Sequence, residues 1–356
     1  MPINTVITGT GSYIPKIVKK NEDFLNSNFL NEDGTPFPYD NKTIIEKFKA
    51  ITGIEERRYA EGNLSSSDLG YLAAVDAIKD AGIDKEKLDY IIVAHNFGDV
   101  TNNSKQTDVI PTLASRVKHR LKIKNPNCVA YDILFGCPGW VEGMIQAHAF
   151  IKAGMAKKVL VIGSETLSRV VDPSDRDTMI YSDGAGATIV EAKDESFKRG
   201  ILSNASRSDT LEEAYFLHMK ESFNKKDQSD TKYMKMYGRK IYEYALNNVP
   251  VAMKAAFDKT AVNIDHLQKI FIHQANEKMD EAIIKRFFRQ YKVHTPVGVM
   301  PMSIHLLGNS SVATVPTLYD LVLKRKIPNQ KVNMDDIILF ASVGAGMNIN
   351  AFVYKV

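Results

Sequence analysis

The chain repeats itself. Residues 77–93 read AIKDAGIDKEKLDYIIV and residues 256–272 read AFDKTAVNIDHLQKIFI. Helix end, polar turn, leucine and apolar strand follow in the same order without a gap. Leu88 thus answers Leu267 and Ile91 answers Ile270, each pair 179 positions apart. Two weaker echoes keep that order. Gly184-Ala185-Gly186 and Gly344-Ala345-Gly346 each read as a tight glycine turn feeding an alternating strand, and Gly136-Cys137 and Gly308-Asn309 each open a helical pattern. α/β units resemble one another, so one match alone carries little. Three in one order predict two copies of one α/β unit. A length of 356 residues suits two such units. The halves are expected at 1–192 and 193–356, joined through the charged stretch 191–200, EAKDESFKRG.

The patterns inside the halves agree with an α/β class. Residues 68–81 place Leu69, Leu72, Ala73, Ala77 and Ile78 at helical spacing, and Gly82 ends the run. The wholly apolar YIIVA at 90–94 has the character of a buried parallel strand, with further strands expected at 128–135 and 159–162. Residues 31–41, 97–108 and 221–232 are rich in polar and turn residues and read as surface loops.

Composition excludes several classes. Hydrophobic residues make up 44% and charged residues 25%, which is globular and not disordered or fibrous. A net charge of +4 does not argue for nucleic acid. The first fifteen residues lack a basic stretch followed by a long apolar one, and about 18 apolar residues never run together, so neither a signal peptide nor a membrane span is expected. The expected location is the cytoplasm. Only two cysteines occur, Cys128 and Cys137, with no cluster of His and Cys around them. They form neither a disulfide framework nor a zinc site, which leaves room for a reactive thiol.

Cys137 is the candidate. It sits in Phe135-Gly136-Cys137-Pro138-Gly139-Trp140, between an apolar strand and a helical pattern carrying Val141, Met144, Ile145 and Phe150. Strand, sharp glycine turn, sulfur and helix make a nucleophile elbow. The helix N-terminus is expected to favour thiolate. Cys128, inside a strand with no such turn, is expected to be a core thiol. Among eight histidines, His273 stands apart. It ends an apolar strand and opens His273-Gln274-Ala275-Asn276, and strand ends in open α/β sheets face the ligand crevice. His119, His148, His218, His266 and His294 read as surface or packing residues, and His95 has no evident role. Asn309, in a second glycine turn, reads as an N-cap or a site residue. His305 is a weaker candidate. The turn at Gly344–Gly346 could offer backbone N–H groups to an oxyanion. Gly9-Thr10-Gly11 is a poor dinucleotide motif, because Pro15 and no helix pattern follow it.

Taken together, GCPG at Cys137, HQAN at His273, GNSS at Asn309, DGAGA at 183–187 and the late GAG turn resemble the 3-oxoacyl-ACP synthase III family. So do TGTGSYIP from Thr8, TGIEERR at 52–58 and DPSDRDT at 172–178. The resemblance runs nearly the whole length. It implies the thiolase-like duplicated five-layer αβαβα fold. It also implies a decarboxylating Claisen condensation in which Cys137 carries an acyl group from an acyl-CoA or acyl-ACP and malonyl-ACP supplies the carbanion. By the same resemblance His273 and Asn309 bind the malonyl thioester carbonyl, and the backbone N–H groups of Cys137 and Ala345 hold the oxyanion. Arg176, Gly238 and Asn276 would serve CoA and pantetheine, Lys278 the acyl carrier protein and Ile110 the acyl pocket. A homodimer is implied, and no cofactor beyond the CoA and ACP thioesters.

The chain departs from the pattern where relatives place a Trp and an Arg around the CoA adenine. Lys47 and Ile51 stand there, and the only Trp is Trp140. The long stretch 97–108 and Ile110 predict a primer larger or more branched than acetyl. A same-fold condensing enzyme of secondary metabolism, an idle partner subunit and a Cys-His hydrolase are the alternatives. The intact Cys137, His273 and Asn309 argue against the idle subunit.

Overall fold

The computed structural model describes residues 3–102 and 104–356; Asn103, within the predicted loop 97–108, lies outside the described residues. The first half contributes β1 (Ile3–Tyr13), the short pair β2 (Ile17–Lys20) and β3 (Glu56–Tyr59), then β4 (Tyr90–His95), β5 (Val129–Leu134), β6 (Lys158–Thr166) and β7 (Asp183–Asp194). Its helices are α1 (Asn41–Thr52), α2 (Ser66–Ala81), α3 (Leu113–Arg120) and α4 (Gly139–Lys152). The second half contributes β8 (Gly200–Ser208), the hairpin β9 (Leu217–Lys220) and β10 (Tyr233–Met236), then β11 (Leu267–Ile272), β12 (Ile337–Gly344) and β13 (Asn348–Lys355). Its helices are α5 (Gly238–Phe257), α6 (Glu277–Arg289), the single turn α7 (Ile304–Leu307) and α8 (Thr314–Leu323).

The two main sheets are ordered β1-β7-β6-β4-β5 and β8-β13-β12-β11. In the first, β4 runs parallel to β5 and β6, and β7 is antiparallel to β6 and β1. In the second, β11 is parallel to β12, and β13 is antiparallel to β12 and β8. Strand for strand, β8, β13, β12 and β11 stand in for β1, β7, β6 and β4, as the repeat predicts. Only β5 lacks a ladder-forming counterpart. Beside β11 the segment at Val299 takes that place, accepting from the Ile270 N–H at 2.8 Å. Pro296 and Pro301 flank it and cannot donate to a ladder.

Period-two burial builds five layers. On β4, Ile91 and Val93 face α2 and α3, while Ile92 faces the middle of the molecule. On β12, Leu339 and Ala341 face α5 and α6, while Ile338 and Phe340 face the middle. The middle layer holds α4 and α8 with Trp140, Val141, Leu318 and Tyr319 fully or almost fully buried. The order is helices, sheet, helices, sheet, helices. Trp140 packs against Phe340 and Phe352 in the middle layer. Cys128 lies in the outer core of the first half, where burial raises its thiol to about 11.

Glycines set how closely the layers approach. A Cβ on Gly9 would stand 2.5 Å from the Ala77 carbonyl oxygen, and one on Gly11 2.3 Å from that of Ala73. The early Gly-x-Gly therefore exists so that α2 can lie on β1. One predicted echo is corrected in the same way. Gly184–Gly186 is not a turn but the start of β7, and a Cβ on Gly186 would meet Pro316 of α8 at 2.7 Å. No helix among the described residues is long and apolar enough to cross a membrane.

Alanine at Gly11 must push backbone against backbone. Urea unfolding of Gly11→Ala is expected to show a loss of about 1–3 kcal/mol with an unchanged denaturant slope. Wild-type stability would refute this account of the motif.

Candidate active site

Cys137 follows β5 through Gly136, whose φ of 66° is a left-handed conformation that suits glycine. Pro138 caps α4, which starts at Gly139. The late glycine turn meets this elbow. A Cβ on Gly344 would lie 2.4 Å from the Cys137 nitrogen, and one on Gly136 2.7 Å from the Ala345 nitrogen. Only glycine on both sides lets the two turns touch. That contact sets Cys137 and Ala345 side by side in the wall of one cavity.

His273 follows β11 and is held by its own N–H, which donates to the Ala341 carbonyl at 2.9 Å. The buried Gln274 amide secures the turn, donating to Pro301 O at 2.8 Å and accepting from Ser303 N at 3.0 Å. Asn276 caps α6 by accepting from Met279 N at 3.0 Å. Asn309 follows Gly308 (φ 58°) and is pinned by its backbone to Ile180 O and Ser182 N. Its side chain is partly the predicted cap: Oδ1 accepts from Ser311 N at 2.8 Å, which leaves the Nδ2 donors available. Cys137, His273, Asn309 and Ala345 all line one cavity of about 270 Å³. Its walls include Met219, Met234, Met236, Met279 and Met347. The β9–β10 hairpin closes over it and brings His218 to the lining, where a packing or surface residue was expected.

Burial sets the charge states. It raises the Cys137 thiol to about 11, although the Ser311 hydroxyl, 3.3 Å from Sγ, pulls the other way. Sγ is accessible only from within the cavity, and desolvation outweighs what the helix N-terminus was expected to supply. Burial lowers His273 to about 4, against an opposing pull from the Ser311 backbone. The imidazole is therefore neutral at pH 7, and its Nδ1 makes no full hydrogen bond among the described residues. Glu165, fully buried near the sulfur, is raised to about 7 by desolvation.

A second cavity of about 400 Å³ continues outward, sharing Ile180, Met236, Ile241, Ala275 and Met279 with the first. Arg176, Gly238 and Asn276 line it, as do Lys47 and Ile51. The DPSDRDT segment is braced by the buried Lys235, whose ammonium is 2.6 Å from Asp172 and 3.1 Å from Asp175. The predicted surface loop 31–41 does more than loop. Its Phe37 lies 4.2 Å under the Arg176 guanidinium and its Tyr39 3.6 Å under the Lys47 ammonium. Lys278 is exposed on the first turn of α6 beside this mouth. Ile110 is 87% exposed and lines neither cavity of its own chain. His305 bonds Glu277 at 2.9 Å and lies outside the cavity. His95 is a buried structural link to Asp132 and to the Gly98 N–H. Ser311, Asn96 and Glu165, which contact or approach the sulfur, carried no signal of their own in the sequence.

The family model described as 3-Oxoacyl-[acyl-carrier-protein (ACP)] synthase III matches residues 131–210, and that described as its C-terminal part matches 257–356. The chain is 33% identical over 341 residues to beta-ketoacyl-[acyl-carrier-protein] synthase III 1 of Vibrio vulnificus, covering 96% of each. The crystal structure of 3-oxoacyl-[acyl-carrier-protein] synthase III from Aquifex aeolicus has a TM-score of 0.80 and 28% identity, covering 99% of this chain and all of that one. The priming beta-ketosynthase of the R1128 polyketide biosynthetic pathway also gives 0.80, at 23% identity, with 99% of this chain and 96% of that one covered; this likeness shows the fold alone.

A thiol raised to about 11 is protonated at neutral pH, and its reactive fraction grows with alkalinity. The rate of iodoacetamide labelling at Cys137 is expected to rise about tenfold per pH unit from 7 to 9. A plateau below pH 8 would show that the helix N-terminus, not burial, governs the sulfur.

Proposed function

Because the chain belongs to the 3-oxoacyl-[acyl-carrier-protein] synthase III family, we propose that it starts fatty-acid synthesis by condensing an acyl primer with malonyl-ACP through an acyl-Cys137 intermediate. The observation that carries this reading is the convergence of Cys137, His273, Asn309 and two backbone N–H groups in one apolar cavity.

In the proposed cycle the Cys137 sulfur attacks the primer thioester, the carrier sulfur departs, and the thiol proton leaves with it. Malonyl-ACP then enters. Nδ2 of Asn309 and the neutral imidazole of His273 donate hydrogen bonds to its thioester carbonyl, so that the electron pair released with CO2 rests as an enolate. Both are far weaker acids than an imidazolium, so they stabilise the enolate while offering its carbon no strong proton donor. The carbanion attacks the acyl carbon on Cys137. The N–H groups of Cys137 and Ala345 hold the oxyanion until the C–S bond breaks and the sulfur leaves as thiolate, which regains its proton from solvent. Decarboxylation supplies the driving force, and the chemistry calls for no metal or redox cofactor.

The outer cavity suits a pantetheine arm, with Arg176, Gly238 and Asn276 along it. Lys278, Lys285, Arg286 and Arg289 are exposed along α6, with Glu281 the exposed acid among them, and this excess of cations suits an acidic carrier protein. We assign a homodimer on the open edge of β5, where Val129 and Leu134 are 48% and 67% exposed, with Ile110 of each copy facing the other copy's acyl site. The methionine-lined wall accommodates varied shapes and favours a primer larger than acetyl. Free thiol chemistry fits a reducing cytoplasm.

Intact-mass analysis after mixing with a panel of acyl-CoAs and acyl-ACPs tests the nucleophile and finds the primer. A covalent adduct is expected on the wild type and absent from Cys137→Ser. No adduct with any donor would overturn the reading, and preference for acetyl over every longer acyl group would overturn the primer assignment. His273→Ala is expected to acylate normally while decarboxylation of malonyl-ACP falls about 10²–10³-fold. Loss of acylation with decarboxylation retained would reverse the roles.

A further inference from the structure

A line of hydrogen bonds ends on the Cys137 sulfur and begins at a buried carboxyl. Glu165, near the end of β6, is fully buried. Its Oε1 accepts from the Asn96 backbone N–H at 2.5 Å and from Asn96 Nδ2 at 2.6 Å. The same Nδ2 donates to Ser311 Oγ at 3.0 Å, and Ser311 Oγ lies 3.3 Å from Cys137 Sγ. Ser311 is held in place independently. Its φ is 54°, unusual for serine, and its N–H is bound to Asn309 Oδ1.

With the Glu165 carboxyl ionised, as above neutral pH, the polarity of this line is determined by valence. Glu165 Oε1 can pair with the NH2 end of the Asn96 amide, whereas the carbonyl end would meet the carboxyl oxygen lone pair to lone pair. One N–H of Asn96 then goes to Glu165 and the other to Ser311. With an N–H donated to it, the Ser311 oxygen turns its single proton to the remaining neighbour, the sulfur. We propose that Ser311 and Asn96 are positioning residues, Asn96 oriented by Glu165, that aim a hydroxyl donor at the Cys137 sulfur whenever it carries negative charge. This rests on the reading of Cys137 as the acyl carrier, whose sulfur is anionic once on attack and once on release.

The titratable groups around the sulfur come from every side. Glu165 lies on β6, His273 after β11, Tyr181 before β7 and His218 on β9, with His95 and Asp183 beside Glu165. Glu165 both orients the line and opposes negative charge on sulfur, so two substitutions separate its functions. Glu165→Gln keeps an oxygen for Asn96 and removes the charge. It is expected to speed iodoacetamide labelling of Cys137 and move its pH profile to lower pH. Asn96→Ala leaves Ser311 free to turn away. It is expected to slow labelling about tenfold at pH 8 and move the profile to higher pH. Ser311→Ala should do the same, and the double variant should be no slower than Ser311→Ala alone. In turnover, kcat should fall in Asn96→Ala with the primer KM unchanged.

An unchanged labelling profile in a folded Asn96→Ala or Ser311→Ala protein would overturn the proposal, as would additive effects in the double variant. If Asn96→Ala does not fold, Ser311→Ala alone decides by the same profile. Labelling reports on the sulfur without any substrate. A failure here is therefore distinct from failure of the proposed function, which is read from acyl adducts on the wild type.

Discussion

The contact between two glycine turns, one from each half, is what the rest of the active site depends on. Gly136 and Gly344 each lie where any side chain would strike the other turn's backbone nitrogen, at 2.7 and 2.4 Å. The contact is held from behind by the middle layer. Phe340 lies on β12 four residues before Gly344, stacked on Phe352 at 4.6 Å and tilted against Trp140, which follows Cys137 by three residues. The same aromatic cluster therefore anchors the element bearing the sulfur and the element bearing the second N–H. Close-packed cores deform little, so the two turns are held against each other by the packing behind them.

Duplication divides the chemistry between the halves. In the first half Gly136, at positive φ, stands between β5 and α4; in the second Gly308, also at positive φ, follows the single turn α7 and precedes the helical segment that leads into α8. The first half places the Cys137 sulfur there, the second the Asn309 amide. The second half adds His273 at the end of β11, the counterpart of β4. That counterpart ends in His95, which is spent on Asp132 and the loop that follows. The duplicated scaffold thus carries different residues after its two glycine turns, and its two histidines, His95 and His273, sit in different surroundings.

Much of this was legible in the sequence because it is written locally. The repeat at offset 179, the helix at 68–81 and the elbow at Cys137 each depend on neighbours a few positions apart, and each appears in the fold. What was not legible depends on distant neighbours. Gly9, Gly11 and Gly186 look like turn or nucleotide glycines until α2 and Pro316 are seen lying on them. Residues 31–41 look like a solvent loop until Phe37 and Tyr39 are found beneath Arg176 and Lys47. Ser311 looks like part of a capping run, and its tie to Cys137 spans 174 positions. Glu165 sits in an apolar strand with no local reason for a charge; its reason is Asn96, 69 positions away.

Burial also discriminates between kinds of cysteine chemistry. A Cys-His hydrolase needs a base that takes the thiol proton and later delivers it to a leaving group. Here the thiol is raised to about 11 and the imidazole lowered to about 4, both by desolvation. Burial thus favours the neutral form of both groups over a thiolate–imidazolium pair. An uncharged imidazole that holds its proton can instead donate a hydrogen bond without offering an acid. That property is a weakness for hydrolysis and an advantage for a reaction that passes through a carbanion. The same apolar cavity that makes the thiol a poor anion strengthens each hydrogen bond offered to charge that develops later. A site with both groups neutral at rest is therefore suited to charge that appears on the substrate.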